Sequence, residues 1–175
     1  MKQKNIKTKI KEYFLEHPSQ RLRVRQIERE LNLPLPSVIR YTKELMEENI
    51  LKIQNISGIN FFKAKTESEN YTLAKKLHNL QRIYDSGMVK LLKNKLHNPC
   101  IILFGSFAKG TDNEESDIDI FIETKGTVPA LNRFERVLGK QIQVISKDRL
   151  GKIPNKHLAN NIVNGITLNG YLEVF

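Results

Sequence analysis

The sequence predicts an α+β protein with two domains joined by a helical segment, on three observations. Apolar residues recur at helical spacing three times within residues 1–50, and two short apolar runs around a turn follow them. Residues 68–97 contain no Pro and keep one apolar stripe at spacings of three, four or seven. Residues 99–175 open on an unbroken apolar run and continue into a segment that alternates acidic and apolar residues. Helical and strand periods thus come in blocks, the pattern of a fold that segregates its helices from its sheets.

With 175 residues the chain has room for one or two small domains. Apolar residues make up 39% and charged residues 27%, a balance that builds a packed core and excludes a mainly disordered chain. No apolar run approaches the roughly 18 residues of a membrane span, and none near the start resembles a signal sequence. The single Cys100 offers neither an internal disulfide nor a Cys-based zinc site, and His17, His78, His97 and His157 are scattered. A cytoplasmic location without membrane contact is therefore expected. The formal charge of +10 is unevenly placed: residues 1–65 hold 14 basic against 7 acidic residues, 66–98 hold 6 against 3, and 99–175 hold 9 of each. A basic module ahead of a neutral one predicts a polyanion partner for the first and separate work for the second. The expected organisation is a domain at 1–65, a helical linker at 66–98 and a domain at 99–175.

In the first domain, Ile6, Ile10, Tyr13 and Phe14 lie at helical spacing, and Pro18 ends that helix. Val24, Ile27 and Leu31 give a second, short helix. A third follows the break at Pro34 and Pro36, with Val38, Thr42 and Leu45 facing inward. Residues 50–53 and 59–63 read as strands, and Asn55-Ile56-Ser57-Gly58 between them as a turn in which Gly58 takes positive φ. Three helices followed by a β-hairpin resemble a winged helix-turn-helix domain over about residues 5–65. The resemblance implies DNA binding, with the third helix in the major groove and the hairpin on the backbone. The outward positions of that helix are Ser37, Arg40, Tyr41 and Lys43. Arg40 suits a forked contact to guanine, while Lys43, Arg21, Arg23 and Arg25 suit phosphates. Winged helices also serve as protein-docking modules, so the uneven charge is what favours DNA.

In the linker, Leu73, Leu77, Leu80, Tyr84 and Leu91 form the stripe, on one long helix or on two broken at Ser86-Gly87. Such a stripe either packs the helix on its own domain or seams a homodimer on paired half-sites.

The segment from Cys100 to Glu123 carries the chemistry. Ile101 to Phe104 reads as a buried strand. Gly105-Ser106 follows, where Gly permits a tight turn and a helix start offers N–H groups to phosphate oxygens. In Asp117-Ile118-Asp119-Ile120-Phe121-Ile122, strand alternation puts both carboxylates on one face. Carboxylates that close repel each other unless a cation lies between them. A hard cation such as Mg²⁺ answers that repulsion and takes further oxygens from water and phosphate. These residues point to a triphosphate at Gly105-Ser106 and a metal at Asp117 and Asp119. Asp112, Glu114 and Glu115 are expected to form a solvated loop without chemistry. A Gly-Ser at a strand end is ordinarily only a turn, and an Asp-x-Asp only an exposed edge. Average residue usage yields the four residues at this spacing in roughly one chain in several hundred, and the apolar strand before them makes coincidence rarer still.

Gly-Ser, ten residues, then Asp-x-Asp resembles the DNA polymerase beta-like nucleotidyltransferase superfamily, and within it the minimal nucleotidyltransferase group of prokaryotes. The similarity extends through Gly105-Ser106-x-Ala108-x-Gly110-Thr111 and Ser116-Asp117-Ile118-Asp119. It implies a mixed sheet with flanking helices, and transfer of a nucleotide from a nucleoside triphosphate, ATP first, to a hydroxyl with release of pyrophosphate. It further implies that Gly105 and Ser106 contact the triphosphate and that Asp117 and Asp119 hold Mg²⁺ and serve the chemistry. Lys109, Gly110 and Thr111 would line the loop beside the phosphates, with Lys109 placed for a charge-assisted contact.

Active members of the superfamily usually add a third acid on a later strand. The matching segment here is Leu138 to Ile145, and the acid's place falls at Gln143, whose neutral amide is no base and a weak metal ligand. Asp148 lies past that strand, and Glu123 stands four residues beyond Asp119. Three readings follow: a transferase acting on an acceptor macromolecule or partner protein, a DNA-binding regulator with a degenerate nucleotide-sensing domain, or an antitoxin-like partner of a second protein. The otherwise complete motif favours the transferase. Toward the end, Asn155 to Asn164 reads as a helix with Ala159, Ile162 and Val163 inward, and 166–175 as one strand or two broken near Gly170.

Overall fold

The computed structural model describes residues 5–172; residues 173–175, part of the last expected strand, lie outside the described residues. The chain divides into two compact units, Met1–His78 and Asn79–Phe175.

In the first unit, helices α1 (Ile6–Glu16), α2 (Val24–Leu31) and α3 (Leu35–Glu47) precede a hairpin of β2 (Leu51–Ile56) and β3 (Ile59–Ala64). A two-residue strand, β1 (Arg21–Leu22), completes an antiparallel sheet of order β1-β3-β2. So short a strand carries no period and has no sequence signal. α3 starts between the two prolines rather than after them. Pro34 is its N-cap and Pro36 lies in its first turn, where an N–H would lack an intrahelical partner. The hairpin turn is also tighter than the expected tetrad: Asn55 and Ile56 stay in β2, and Ser57 and Gly58 alone form the loop. Both take positive φ, 50° and 79°, the geometry whose twist matches that of paired strands. Asn55 Oδ1 accepts from Gly58 N at 3.1 Å and holds the turn. Ile10, Phe14, Ile27, Val38, Leu45 and Leu51 fill the core beneath.

Helix α4 (Glu69–Asp85) runs through the division between the units. Tyr71 belongs to the first core and Ile83 to the second. Residues expected as a helical linker, 66–98, thus contribute side chains to both cores. Gly87, at φ 77°, breaks the helix before α5 (Met88–Lys95). Of the apolar stripe, Leu80 and Leu91 pack on the second core, whereas Leu73, Leu77 and Tyr84 are 57%, 58% and 50% exposed.

The second unit is built on a mixed sheet of β4 (Cys100–Phe104), β5 (Ile118–Glu123), β6 (Ile142–Lys147) and β7 (Ile166–Asn169). Its order is β6-β5-β4-β7, with β5 and β6 parallel and the other pairs antiparallel. Strand alternation sorts the core into two clusters. Ile101, Leu103, Ile118, Ile120 and Ile122 pack with Met88 and Leu92 of α5 and with Phe134 of α7 (Asn132–Leu138). Ile102, Phe104 and Phe121 pack with Ile162 of α8 (Lys156–Val163). Cys100 is buried in this second cluster, and burial, followed by the Glu123 charge, pushes its thiol up to about 11. β6 begins later than the expected Leu138, because Leu138 ends α7 and Gly139 caps that helix at φ 67°. Val163, expected inward, is 44% exposed, and Leu158 and Ala159 pack beside Ile162 instead. Among the described residues no helix is long and apolar enough to cross a membrane.

Candidate functional site

β4 passes directly into a five-residue helix, α6 (Gly105–Lys109). Gly105 takes φ +74°, and a Cβ built on it would lie 2.1 Å from Oδ2 of Asp119. Conformation and close approach both demand glycine there. The approach follows from register: Phe104 pairs with Asp119 across β4 and β5, and Gly105 is the next residue. The first turn of α6 leaves N–H groups without intrahelical partners, and Ser106, half-buried, lies in that turn. Gly110 closes the helix at φ 73° with its N–H donating to Ser106 O. Thr111 N donates to the same carbonyl at 3.1 Å. Lys109 and Thr111 are exposed and Gly110 is buried.

Asp117 stands just before β5 and Asp119 is its second residue, half-buried like Asp117 and alternating with fully buried Ile118 and Ile120. The Asp119 carboxyl is held above its ordinary value, first by burial and then by the charge of Asp117. A like-charged pair beside a tight glycine turn fits a hard cation that keeps water and takes oxygens from a bound phosphate. Among the described residues no group of three or more His, Cys, Asp or Glu side chains gathers, so the pair offers two protein carboxylates and leaves other positions to solvent and substrate.

β6 runs parallel to β5, and its register sets Gln143 beside Asp119. Gln143 Nε2 donates to Asp117 Oδ2 at 2.5 Å. Glu123 lies four residues along β5, about 13 Å from Asp119 by strand rise, and its Oε1 accepts from Leu150 N at 3.3 Å. Asp148, past the end of β6, accepts from Lys152 Nζ at 2.6 Å, a bond that holds its carboxyl below the usual carboxylate value. Both belong to the other end of the strands.

Asp112 departs from expectation. Far from being solvated, its side chain is 1% exposed, and Oδ1 accepts from Asn79 Nδ2 at 2.7 Å. The same Asn79 amide donates to Phe107 O of α6 at 2.9 Å. Lys140, 7% exposed, lies with Nζ 3.8 Å from Asp112 Oδ2 and donates to Ser116 O at 3.1 Å. Sequence reasoning passes over Asn79 and Lys140 because both come from distant stretches of chain, and no local period links either to the loop.

In the first unit, Arg40 and Lys43 are exposed on α3, and Ser37 and Tyr41 are half-buried. The Arg40 guanidinium stacks 4.3 Å from the Tyr41 ring centre, donates to the Tyr41 hydroxyl and lies 3.6 Å from Glu44 Oε1. Lys7 Nζ in turn donates to Glu44 Oε2 at 2.7 Å. Arg23, Arg25 and Arg29 line a groove of about 650 Å³ together with Val24, Ile53 and Phe62. Arg21 is exposed on β1.

A family model described as a nucleotidyltransferase domain matches residues 88–163. The chain is 38% identical over 66 residues to putative protein adenylyltransferase MJ1379 of Methanocaldococcus jannaschii, covering 33% of this chain and 66% of that protein. It is 34% identical over 79 residues to putative protein adenylyltransferase MJ0128 of the same organism, covering 42% of this chain and 78% of that protein.

Proposed function

The chain belongs to the nucleotidyltransferase-domain family, and from that premise we propose that it moves AMP from Mg-ATP onto a hydroxyl of an acceptor macromolecule. One observation carries the reading: Gly105 brings the start of α6 so close to the Asp119 carboxylate that a Cβ there would lie 2.1 Å from its Oδ2. A triphosphate on Gly105 and Ser106, with Lys109, Gly110 and Thr111 alongside, would then meet the carboxylates. When bound, the cation supplies neutralisation of the phosphoryl oxygens and a lowered pKa for the attacking hydroxyl. The residues of the chain hold and orient: Asp117 and Asp119 take the cation, and the backbone of α6 takes phosphate oxygens. The acceptor oxygen forms its bond to the α-phosphorus as the bond to pyrophosphate breaks, and the hydroxyl proton leaves with solvent or a neighbouring base. The names of the two archaeal relatives favour a protein as the acceptor.

The first unit is read as a winged helix-turn-helix that binds DNA through Ser37, Arg40, Tyr41 and Lys43. Support comes from three helices ahead of a hairpin, with β1 from between α1 and α2 completing the antiparallel sheet, and from the excess of basic residues. A second reading, a DNA-binding regulator that senses nucleotide without turning it over, is favoured by the amide at Gln143, where a third carboxylate would serve catalysis. Transfer of label from α-phosphate-labelled ATP into the macromolecules of a host-cell lysate separates the two. Label with the parent and none with the Asp117→Asn/Asp119→Asn variant is the expected result. No label with adequate Mg²⁺ and acceptor would move the assignment to the regulator.

A further inference from the structure

We propose that Lys140 is a positioning residue for the Asp117/Asp119 pair, its buried ammonium clamping the loop that delivers Asp117. The inference rests on the reading of that pair as a cation site. Strand pairing brings the clamp into place: Ile118 N donates to Gln141 O at 2.9 Å, so the residue before Gln141 lies against the residues before Ile118. There the Lys140 Nζ donates to Asn113 O at 2.5 Å and Ser116 O at 3.1 Å, with Glu114 O at 3.4 Å. An ammonium has three donors and loses much hydration when buried; three carbonyls of one loop replace what Lys140 loses. The Ser116 carbonyl belongs to the planar peptide unit that also carries the Asp117 N–H, so fixing this oxygen fixes the plane from which the Asp117 side chain departs.

The loop is already folded on itself. Asn113 N donates to Ser116 Oγ at 3.0 Å, and Glu115 N donates to Asn113 Oδ1 at 3.0 Å. Lys140 adds attachment of that compact turn to the foot of β6. Asp112 balances the buried charge at 3.8 Å and, through Asn79, reaches Phe107 O in α6. One network therefore ties α6, through Phe107 O, to the loop that leads into β5.

The test uses the full chain and two variants. Lys140→Met/Asp112→Asn removes both charges together and leaves no buried orphan charge, and Lys140→Arg keeps the charge and the donors. Water-proton relaxation enhancement reads Mn²⁺-ATP bound to the protein without requiring turnover, and hydrogen exchange reads amides 113–118. The double variant is expected to bind Mn²⁺-ATP about ten- to a hundredfold more weakly, with faster exchange confined to the loop and β4 unchanged. Lys140→Arg is expected to recover most of the affinity. Parent-like affinity in the double variant overturns the proposal. A parent that binds no Mn²⁺ overturns it together with the cation-site reading. A parent whose Mn²⁺-ATP affinity depends on Lys140 but which labels no acceptor leaves the clamp standing and removes only the transferase.

Discussion

The amide of Gln143 donates to Asp117 Oδ2 at 2.5 Å while its backbone stands in register with Asp119. An amide at this point does two things a carboxylate would not: it offers an N–H to an oxygen a cation would use, and it adds no charge. Gln143→Asp withdraws the donor and supplies a third carboxylate. Transfer of label at saturating Mg-ATP is expected to rise about a hundredfold, the lower end of what a positioned base contributes. Activity no higher than the parent's would refute the account of a missing acid. The same variant crowds three carboxylates together, so its Tm should fall below the parent's in a chelator and recover with Mg²⁺.

Gly105 leaves little room for a side chain. Its φ of +74° disfavours any L residue, and a Cβ there would meet Asp119 Oδ2 at 2.1 Å. Gly105→Ala is expected to cost roughly 1–3 kcal/mol of stability and to displace the Asp119 carboxylate. Thermal unfolding and Mn²⁺-ATP binding check the two effects separately. An alanine variant that folds with unchanged Tm and binds Mn²⁺-ATP like the parent would show that β4 and β5 do not meet as described.

Because burial and the Asp117 charge hold the Asp119 carboxyl above its ordinary value, the folded chain binds that proton more tightly than the unfolded chain. Its contribution to stability without a cation is complete below the unfolded value and is lost as pH rises through the folded one. Cation binding runs the other way, since it needs the ionised form and weakens as pH falls through the same point. Asp119→Asn is expected to raise the Tm of the cation-free chain at neutral pH and to abolish the gain in Tm that Mg²⁺-ATP gives the parent. A lower Tm for the variant would mean that the carboxylate makes stabilising contacts that outweigh its burial.

What was legible in the sequence was what local pattern carries. The Gly105-Ser106 turn follows an apolar run, and Asp117 and Asp119 alternate with Ile118 and Ile120, which are fully buried. Gln143 stands where the resemblance to the superfamily sets a third acid, and the β5–β6 register puts it opposite Asp119. The departures have two causes: contacts between distant parts of the chain, and local backbone geometry at helix ends. Asp112 sits in a polar, turn-rich stretch, yet Asn79 and Lys140 bury it. The segment matched to the superfamily's later strand starts at Leu138, yet Gly139 takes the left-handed conformation that ends α7. Pro36 reads as a helix breaker, although the first turn of a helix accepts it.

The basic face of the first unit makes its own prediction, independent of the transferase. Arg21, Arg23 and Arg25 are exposed, and on the proposed DNA-binding reading affinity should fall steeply with salt. Replacing the three with Ala is expected to reduce the slope of log K against log salt by about 2.7 and to weaken all sequences alike. Arg40 should behave differently. Stacked on Tyr41 and held by Glu44, it is oriented before any base is met, and Arg40→Ala is expected to cost about 1–3 kcal/mol of discrimination at one base pair. Glu44→Gln frees the guanidinium from its neighbouring charge, so general affinity should rise while discrimination at that base pair falls. Titrations of the parent and the three variants over a salt series check all of this together. A triple variant with the parent's salt slope would take the arginines out of the interface. Binding indifferent to salt would take phosphates out of it altogether and leave protein docking as the use of this face.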